Sequence, residues 1–371
     1  MPAPTPASTP TPVPAPARAR DLGLRLPGVP GEHNAITDVP GVLVGYTTLS
    51  EGTDVRTGVT AILPRGHDGV NVPCAAGWTS LNGNGEMTGT TLLSETGALR
   101  LPVLITNTHA VGPCHRGVID WMARTHPDVA SQWLLPVVAE TWDGYLNDIN
   151  GPHVRPEHAV AAIDAARPGA VAEGNVGGGT GMNCYAFKGG SGTSSRLVPY
   201  GDDQYTVGVF VQANFGSRRE LTVSGVPVGE WLTDDNPIED SDWKSGAGSV
   251  IVVVATDAPL LPGQCTALAR RVPLGLARTG TTGSHFSGDI FLAFSTGNAE
   301  TQTPSAFPHG DPGYDTLKHI PWNRMDDFFA AVVYATEEAV LNALFAAETT
   351  VGRAGRRSPA LPVDRLADLL E

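Results

Sequence analysis

Five consecutive β-branched residues, Val250-Ile-Val-Val-Val254, follow directly on Gly248-Ser249 and constrain the fold more than any other stretch of the chain. The run is apolar throughout and is entered through the small, flexible segment Lys244-Ser-Gly-Ala-Gly248, so it reads as a buried, central strand. Tyr205-Thr-Val-Gly-Val-Phe-Val-Gln212 reads as a second central strand, and Val42–Val44, Val59–Leu63, Val103–Ile105 and Ile290–Phe294 as further strands. Helical spacing marks Gly117–Arg124, with Val118, Trp121 and Met122 on one face, and Pro156–Arg167, Thr266–Arg271 and Met325–Ala347. Strands and helices alternate with no internal repeat and no long linker between Leu22 and Gly352, which predicts one α/β domain with helices layered on sheets.

Composition narrows the class of partner. The 371 residues carry a formal net charge of -14, with no basic run to hold a phosphate backbone, which excludes nucleic acid and favours a small molecule or peptide. Residues 1–21 are dominated by Pro, Ala and Thr and read as a disordered, extended tail without a signal peptide's apolar core. The longest apolar run, near Val250, is far shorter than the ~20 residues a bilayer span needs, so no membrane segment is expected. Cys74, Cys114, Cys184 and Cys265 are scattered without a C-x-x-C pair and read as reduced core residues, consistent with the cytoplasm.

The Gly248–Ser249 bond is the first candidate for chemistry. If the chain cuts itself there, Ser249 becomes both a hydroxyl nucleophile and an α-amine titrating near ~7.7 to 8.0, a base that works at neutral pH. Taken alone, the same segment favours the plainer reading, a glycine-ended loop before a buried strand. Asn214, at the end of the Tyr205 strand, offers an amide NH2 to an oxyanion or simply forms a turn. Ser287 and Asp289 sit two residues apart, on one face of an extended segment leading into a strand, or on a solvated turn. Glu140, Trp142 and Tyr145 combine carboxylate and aromatics in a way that suits gripping a cationic amine beside an apolar wall, or anchoring a polar loop.

Other motifs carry less. Glu173-Gly-Asn-Val-Gly-Gly-Gly-Thr-Gly-Met182 lacks the ending of a phosphate loop and reads as a close approach between backbones. Lys188-Gly-Gly-Ser-Gly-Thr193 reads as a turn. The spacings of His67, His109 and His115 match no zinc signature, so no metal is assigned, and there is no G-x-S-x-G elbow.

Taken in order, Asn34–Gly41, Asn82–Gly89, Glu140–Asp148, Gly178–Met182, Gln212–Asn214, Gly248–Pro259 and Ser287–Phe291 resemble the L-aminopeptidase/D-esterase and β-peptidyl aminopeptidase family. The resemblance runs from about Leu22 to Arg353. It implies a four-layer α/β/β/α sandwich of the N-terminal-nucleophile hydrolase kind, a single domain cut at Gly248–Ser249 into an α fragment, 22–248, and a β fragment, 249–371. It further implies Ser249 as nucleophile, Tyr145 and Asn214 beside the oxyanion, Ser287 and Asp289 continuing a polar network, and Glu140 holding the substrate's α-amine. Some relatives have Glu where this chain has the shorter Asp289. The implied activity removes an N-terminal residue from short peptides, amides or esters, D-alanyl or β-amino acid peptides among them, with no cofactor and in homo-oligomers of αβ pairs. Two alternatives are an acyltransferase of the ornithine acetyltransferase type, a class that places Thr at its cut site, and an uncleaved, catalytically silent ligand-binding protein.

Overall fold

Val250 to Val254 are all fully buried, and the strand that carries them lies at the centre of a six-stranded sheet. The computed structural model describes residues 18–241, 248–300 and 314–370. In chain order, two sheets and a short hairpin are built from β1 (Leu43–Glu51), β2 (Val55–Leu63), β3 (Cys74–Ser80), β4 (Ala98–Leu99), β5 (Val103–Asn107), β6 (Val137–Thr141), β7 (Asn183–Cys184), β8 (Phe187–Lys188), β9 (Gly190–Tyr200), β10 (Asp203–Asn214), β11 (Gly248–Thr256) and β12 (Ser287–Ser295). One sheet has the order β1-β2-β5-β6 and the other β4-β3-β12-β11-β10-β9; β7 and β8 pair only with each other. Within the larger sheet, β11 runs antiparallel to β10 and parallel to β12.

The reason β11 is apolar at every position lies in what covers it. Ile251, Val253 and Ala255 pack with Phe210, Ile290 and Leu292 against Ile62, Val103, Ile105 and Ala139 of the smaller sheet. Val250, Val252 and Val254 face the other way, into the core shared with helices Pro262–Ala269 and Asp326–Phe345. Helices Val111–Thr125 and Pro156–Asp164 cover the outer face of the smaller sheet through Val118, Trp121, Met122, Ala159 and Ile163. The architecture is the expected four-layer α/β/β/α sandwich, with three apolar cores. Each fully buried valine or isoleucine in β11 contributes about 1.5–3 kcal/mol relative to exposure.

Several boundaries differ from the sequence reading. Ala19 is fully buried, with its N–H on Asn342 Oδ1 at 3.0 Å, and Arg18 pairs with Glu173 at 2.7 Å, so Arg18–Asp21 belong to the folded domain rather than to the tail. The rest of the expected tail, 1–17, lies outside the described residues, as do Lys244–Ala247 of the entry to β11. Lys188–Thr193 is not a turn: it runs through β8 into β9, where Gly192 accepts the close packing of helix Asp326–Phe345 and Gly190 that of the Gly174 backbone. Ser287 and Asp289 lie inside β12 instead of before it. Among the described residues, helix Asp326–Phe345 has the length and apolar content of a bilayer span, yet most of it is buried in the protein core.

That helix also carries an ionic hub. Glu338, fully buried, takes Arg196 at 2.6 Å, Arg20 at 2.9 Å and the Asn34 amide at 2.5 Å. Burial opposes its ionisation, but Arg196 and Arg20 hold the carboxyl below the usual range. Its partners precede residue 248 and Glu338 follows it, so the hub ties the two segments together.

Candidate active site

Ser249 is the second residue of β11 and only 2 % exposed. Its antiparallel partner is Asn214, the last residue of β10, so the two side chains stand side by side on the face turned toward the smaller sheet. From that sheet, the chain leaving β6 crosses above them. The Trp142 N–H donates to Ser249 Oγ at 3.2 Å, and the Trp142 carbonyl accepts from Asn214 Nδ2 at 2.9 Å. The Asn214 Oδ1 accepts from the Asn183 N–H at 2.8 Å. Because a backbone N–H can only donate, this bond fixes which end of the Asn214 amide is oxygen and turns its NH2 toward Trp142 and Ser249. Gly248 admits no side chain: an added Cβ would stand 2.1 Å from the Asn214 carbonyl oxygen.

In the parallel register, Ser287 is opposite Gly248 and Gly288 is opposite Ser249. Alternation therefore puts Ser287 beside the Gly248–Ser249 peptide, on the face opposite to the Ser249 hydroxyl. Ser287 Oγ donates to Asp289 Oδ1 at 2.5 Å, and Asn82 Nδ2 donates to Asp289 Oδ2 at 2.8 Å, while the Asp289 N–H returns to Asn82 Oδ1 at 2.7 Å. Burial pushes the Asp289 carboxyl up, against the pull of these hydrogen bonds. Both oxygens are thus engaged by Ser287 and Asn82, and the carboxylate reaches the Ser249 end of β11 through Ser287.

Glu140, on β6, is 2 % exposed; its carboxylate accepts from the Glu86 N–H at 2.8 Å and from the Thr108 hydroxyl. Burial raises it, with the Thr108 and Glu86 hydrogen bonds opposing. A buried anion with spare lone pairs is the feature that a substrate ammonium satisfies. The Trp142 ring packs on a small cluster of Tyr145, Leu146, Ala186 and Ile238. The Tyr145 hydroxyl lies 3.3 Å from the Pro237 carbonyl and 3.4 Å from that of Arg357. Its hydrogen bonds thus tie the wall of the site to the segment before β11 and to the C-terminal region.

Sequence reading missed the Trp142 and Asn183 N–H groups, which have no side-chain signature, and gave no role to Asn82 or Asp143, although both lie in segments that carry the family resemblance. Asp143 is completely buried directly after Trp142, with Oδ1 accepting from Asn147 Nδ2 at 3.1 Å. Burial pushes it up to about 7, opposed by hydrogen bonding from Thr57 and Asn147. A carboxyl raised on folding contributes stability that is complete below its unfolded value, near ~3.9, and is lost as pH rises through about 7. Asp143→Asn keeps the acceptor for Asn147 and removes the titration. Its thermal midpoint should therefore gain on that of the unchanged protein as pH climbs from about 4 to 7. Parallel midpoint curves over that range would refute the buried, raised carboxyl.

No group of three or more His, Cys, Asp or Glu side chains suited to a metal occurs among the described residues. The glycine-rich segment is a backbone approach, as expected: a Cβ on Gly178 would lie 2.8 Å from the Ile105 carbonyl oxygen, and one on Gly179 would lie 2.3 Å from the Ser191 nitrogen.

Comparison with known proteins identifies the family. The family model described as peptidase family S58 matches residues 34–358. The chain is 48% identical over 369 residues to the β-peptidyl aminopeptidase BapA of Sphingosinicella microcystinivorans, covering 95% of this chain and 91% of that protein. Its fold is similar to that of the L-aminopeptidase D-Ala-esterase/amidase from Ochrobactrum anthropi, described as a prototype of the serine aminopeptidases and a variant of the Ntn hydrolase fold. The TM-score is 0.89 at 44% identity, over 95% of this chain and 98% of that one. A Burkholderia sp. β-aminopeptidase superposes with a TM-score of 0.87 at 44% identity, over the same shares.

Proposed function

The chain belongs to peptidase family S58 and is a serine aminopeptidase and amidase, and we propose that its nucleophile is Ser249, freed as a new N-terminus when the chain cuts its own Gly248–Ser249 bond. The observation that carries this reading is the meeting of Ser249 Oγ, the Trp142 N–H and the oriented Asn214 amide at the start of β11.

In the cut, Ser249 Oγ attacks the Gly248 carbonyl carbon, the C–N bond breaks as nitrogen takes up the proton, and the resulting ester is hydrolysed by water. That leaves a carboxylate on Gly248 and an amine on Ser249. The α fragment is then 1–248, with Arg18–Asp21 already part of its folded body, and the β fragment 249–371. In turnover, the amine accepts the hydroxyl proton as Oγ attacks the substrate carbonyl, and it returns that proton to the leaving amine. Ser287, beside the amine, passes its hydrogen bond on to Asp289. Asn214 Nδ2 and Tyr145 serve the oxyanion side, and water then releases the acyl group. Glu140 takes the substrate's α-ammonium and Trp142 forms the apolar wall, which restricts the enzyme to free N-termini.

Short peptides, amides and esters are the substrates of this reading, with β-amino acid and D-alanyl N-termini first among those to test. Homo-oligomers of αβ pairs and a cytoplasmic location complete it, the latter supported by four free, buried cysteines. The deciding assay compares an alanyl amide with its N-acetyl counterpart. The free amine should be turned over and the acetylated form should lose at least about 100-fold in kcat/KM, the worth of ~2.7 kcal/mol of ion pairing. Glu140→Gln should reproduce most of that loss as a rise in KM. Equal turnover of both substrates would remove Glu140 from amine recognition and make the protein a general amidase.

A further inference from the structure

We infer that Lys188 is a positioning residue for the Asn214 amide, acting through the β7–β8 hairpin; this rests on the reading of Asn214 as an oxyanion donor. Lys188 is fully buried, and its ammonium donates to three backbone carbonyls: Gly179 at 3.1 Å, Met182 at 2.9 Å and Gly189 at 2.9 Å. Among the described residues it forms no ion pair with a carboxylate. Burial pushes Lys188 down to about 7, but three acceptors call for three N–H donors, which the ammonium has and a neutral amine lacks. Burying that charge on neutral partners is costly, and a methionine would fill much the same space without the penalty. What the lysine adds is a fixed geometry.

The geometry it fixes is that of Asn183. The carbonyls it gathers lie on both flanks of Asn183, and the strand register makes Asn183 the direct cross-strand partner of Lys188. The hairpin has only two residues per strand, closed through Tyr185 and Ala186, both at positive φ of 53° and 54°. A two-stranded ribbon this short has little stability of its own. It is held by Lys188, by Tyr185 N–H on the Phe215 carbonyl at 2.7 Å, and by Gly189 N–H on the Met182 carbonyl at 2.9 Å. Its product is one N–H, that of Asn183, aimed at Asn214 Oδ1. If the hairpin loosens, the amide loses the bond that decides which end faces the substrate.

The test is a double-mutant cycle of Lys188→Met and Asn214→Ala on an alanyl amide, with active sites counted by the fraction cut at Ser249. Lys188→Met should lower kcat by about 10-fold or more with KM within about 3-fold, less than deletion of the donor itself. In the Asn214→Ala background it should cost less than about 2-fold, since its route is already gone. The Asn214 side-chain NH2 signals should also move in the amide NMR spectrum of Lys188→Met. Equal losses in both backgrounds, or an unchanged kcat with the protein folded, would overturn the inference. An unchanged Asn214→Ala enzyme would instead sink the oxyanion reading beneath it. If Lys188→Met does not fold, Lys188→Gln, which keeps two donors, goes through the same cycle; failure of both to fold makes the lysine structural and also overturns the inference.

Discussion

Replacing Ser249 with Ala should leave a single 38.7 kDa chain in the mass spectrum, where the unchanged protein should give two fragments, 1–248 and 249–371, of roughly 26 and 13 kDa. Hydrolysis should fall by a factor on the order of 10⁴ to 10⁶, the loss typical of deleting a nucleophile that works as one unit with its base. Here the effect should sit at the upper end, because one substitution removes both groups: without the hydroxyl there is no cut, and without the cut there is no amine. The fold should survive. Ser249 is one small residue at the start of a strand whose next five side chains are the centre of the protein. A protein found whole before and after the substitution, or cut in both cases, would refute Ser249 as the self-processing residue. A Ser249→Cys or Ser249→Thr variant separates the two roles, since each keeps a nucleophile for the cut but changes the one used in turnover.

Asn214→Ala should cost a factor of about 100 to 1,000 in kcat with little change in KM, the loss found when one oxyanion donor is removed. Cutting should slow as well, because the tetrahedral adduct on Gly248 forms beside the same amide. Asn214→Asp is the sharper variant. It keeps the size and still accepts from the Asn183 N–H, but it faces the Trp142 carbonyl and the developing oxyanion with an oxygen where the NH2 had been. It should be at least as damaging as alanine. Full activity in either variant would take Asn214 out of the mechanism and leave the Trp142 N–H as the donor the geometry offers.

Much of this was legible in the sequence because it is written in side chains. The unbroken β-branched run of β11 records burial on both faces, Gly248 records the nearness of the Asn214 carbonyl, and the glycines at 178 and 179 record close backbones at Ile105, Gly190 and Ser191. Glycine misled at Lys188–Thr193. There it does not mark a bend but the flat bed of a helix: a Cβ on Gly192 would stand 2.0 Å from the Ala339 carbonyl oxygen. Composition also overextended the tail, since two arginines that look like solvated charges at 18 and 20 find Glu173 and Glu338 only in three dimensions. The Trp142 and Asn183 N–H groups left no trace at all, because every residue but proline has one and only the fold says where it points.

The strand order β3-β12-β11-β10 means that the segment after the proposed cut is laid between two strands of the segment before it, like a plank set into the middle of a floor. The smaller sheet lies wholly in the segment before 248, but neither piece owns the whole of the larger one. Dilution should therefore never separate them, and exchange of fragments between molecules should proceed no faster than global unfolding. Nor should the halves, made separately and mixed, assemble as two ready-made parts would. Once the proposed cut is made, a denatured enzyme would have to re-form by a bimolecular reaction that the uncut chain never faces, and its working lifetime would be set by the first unfolding.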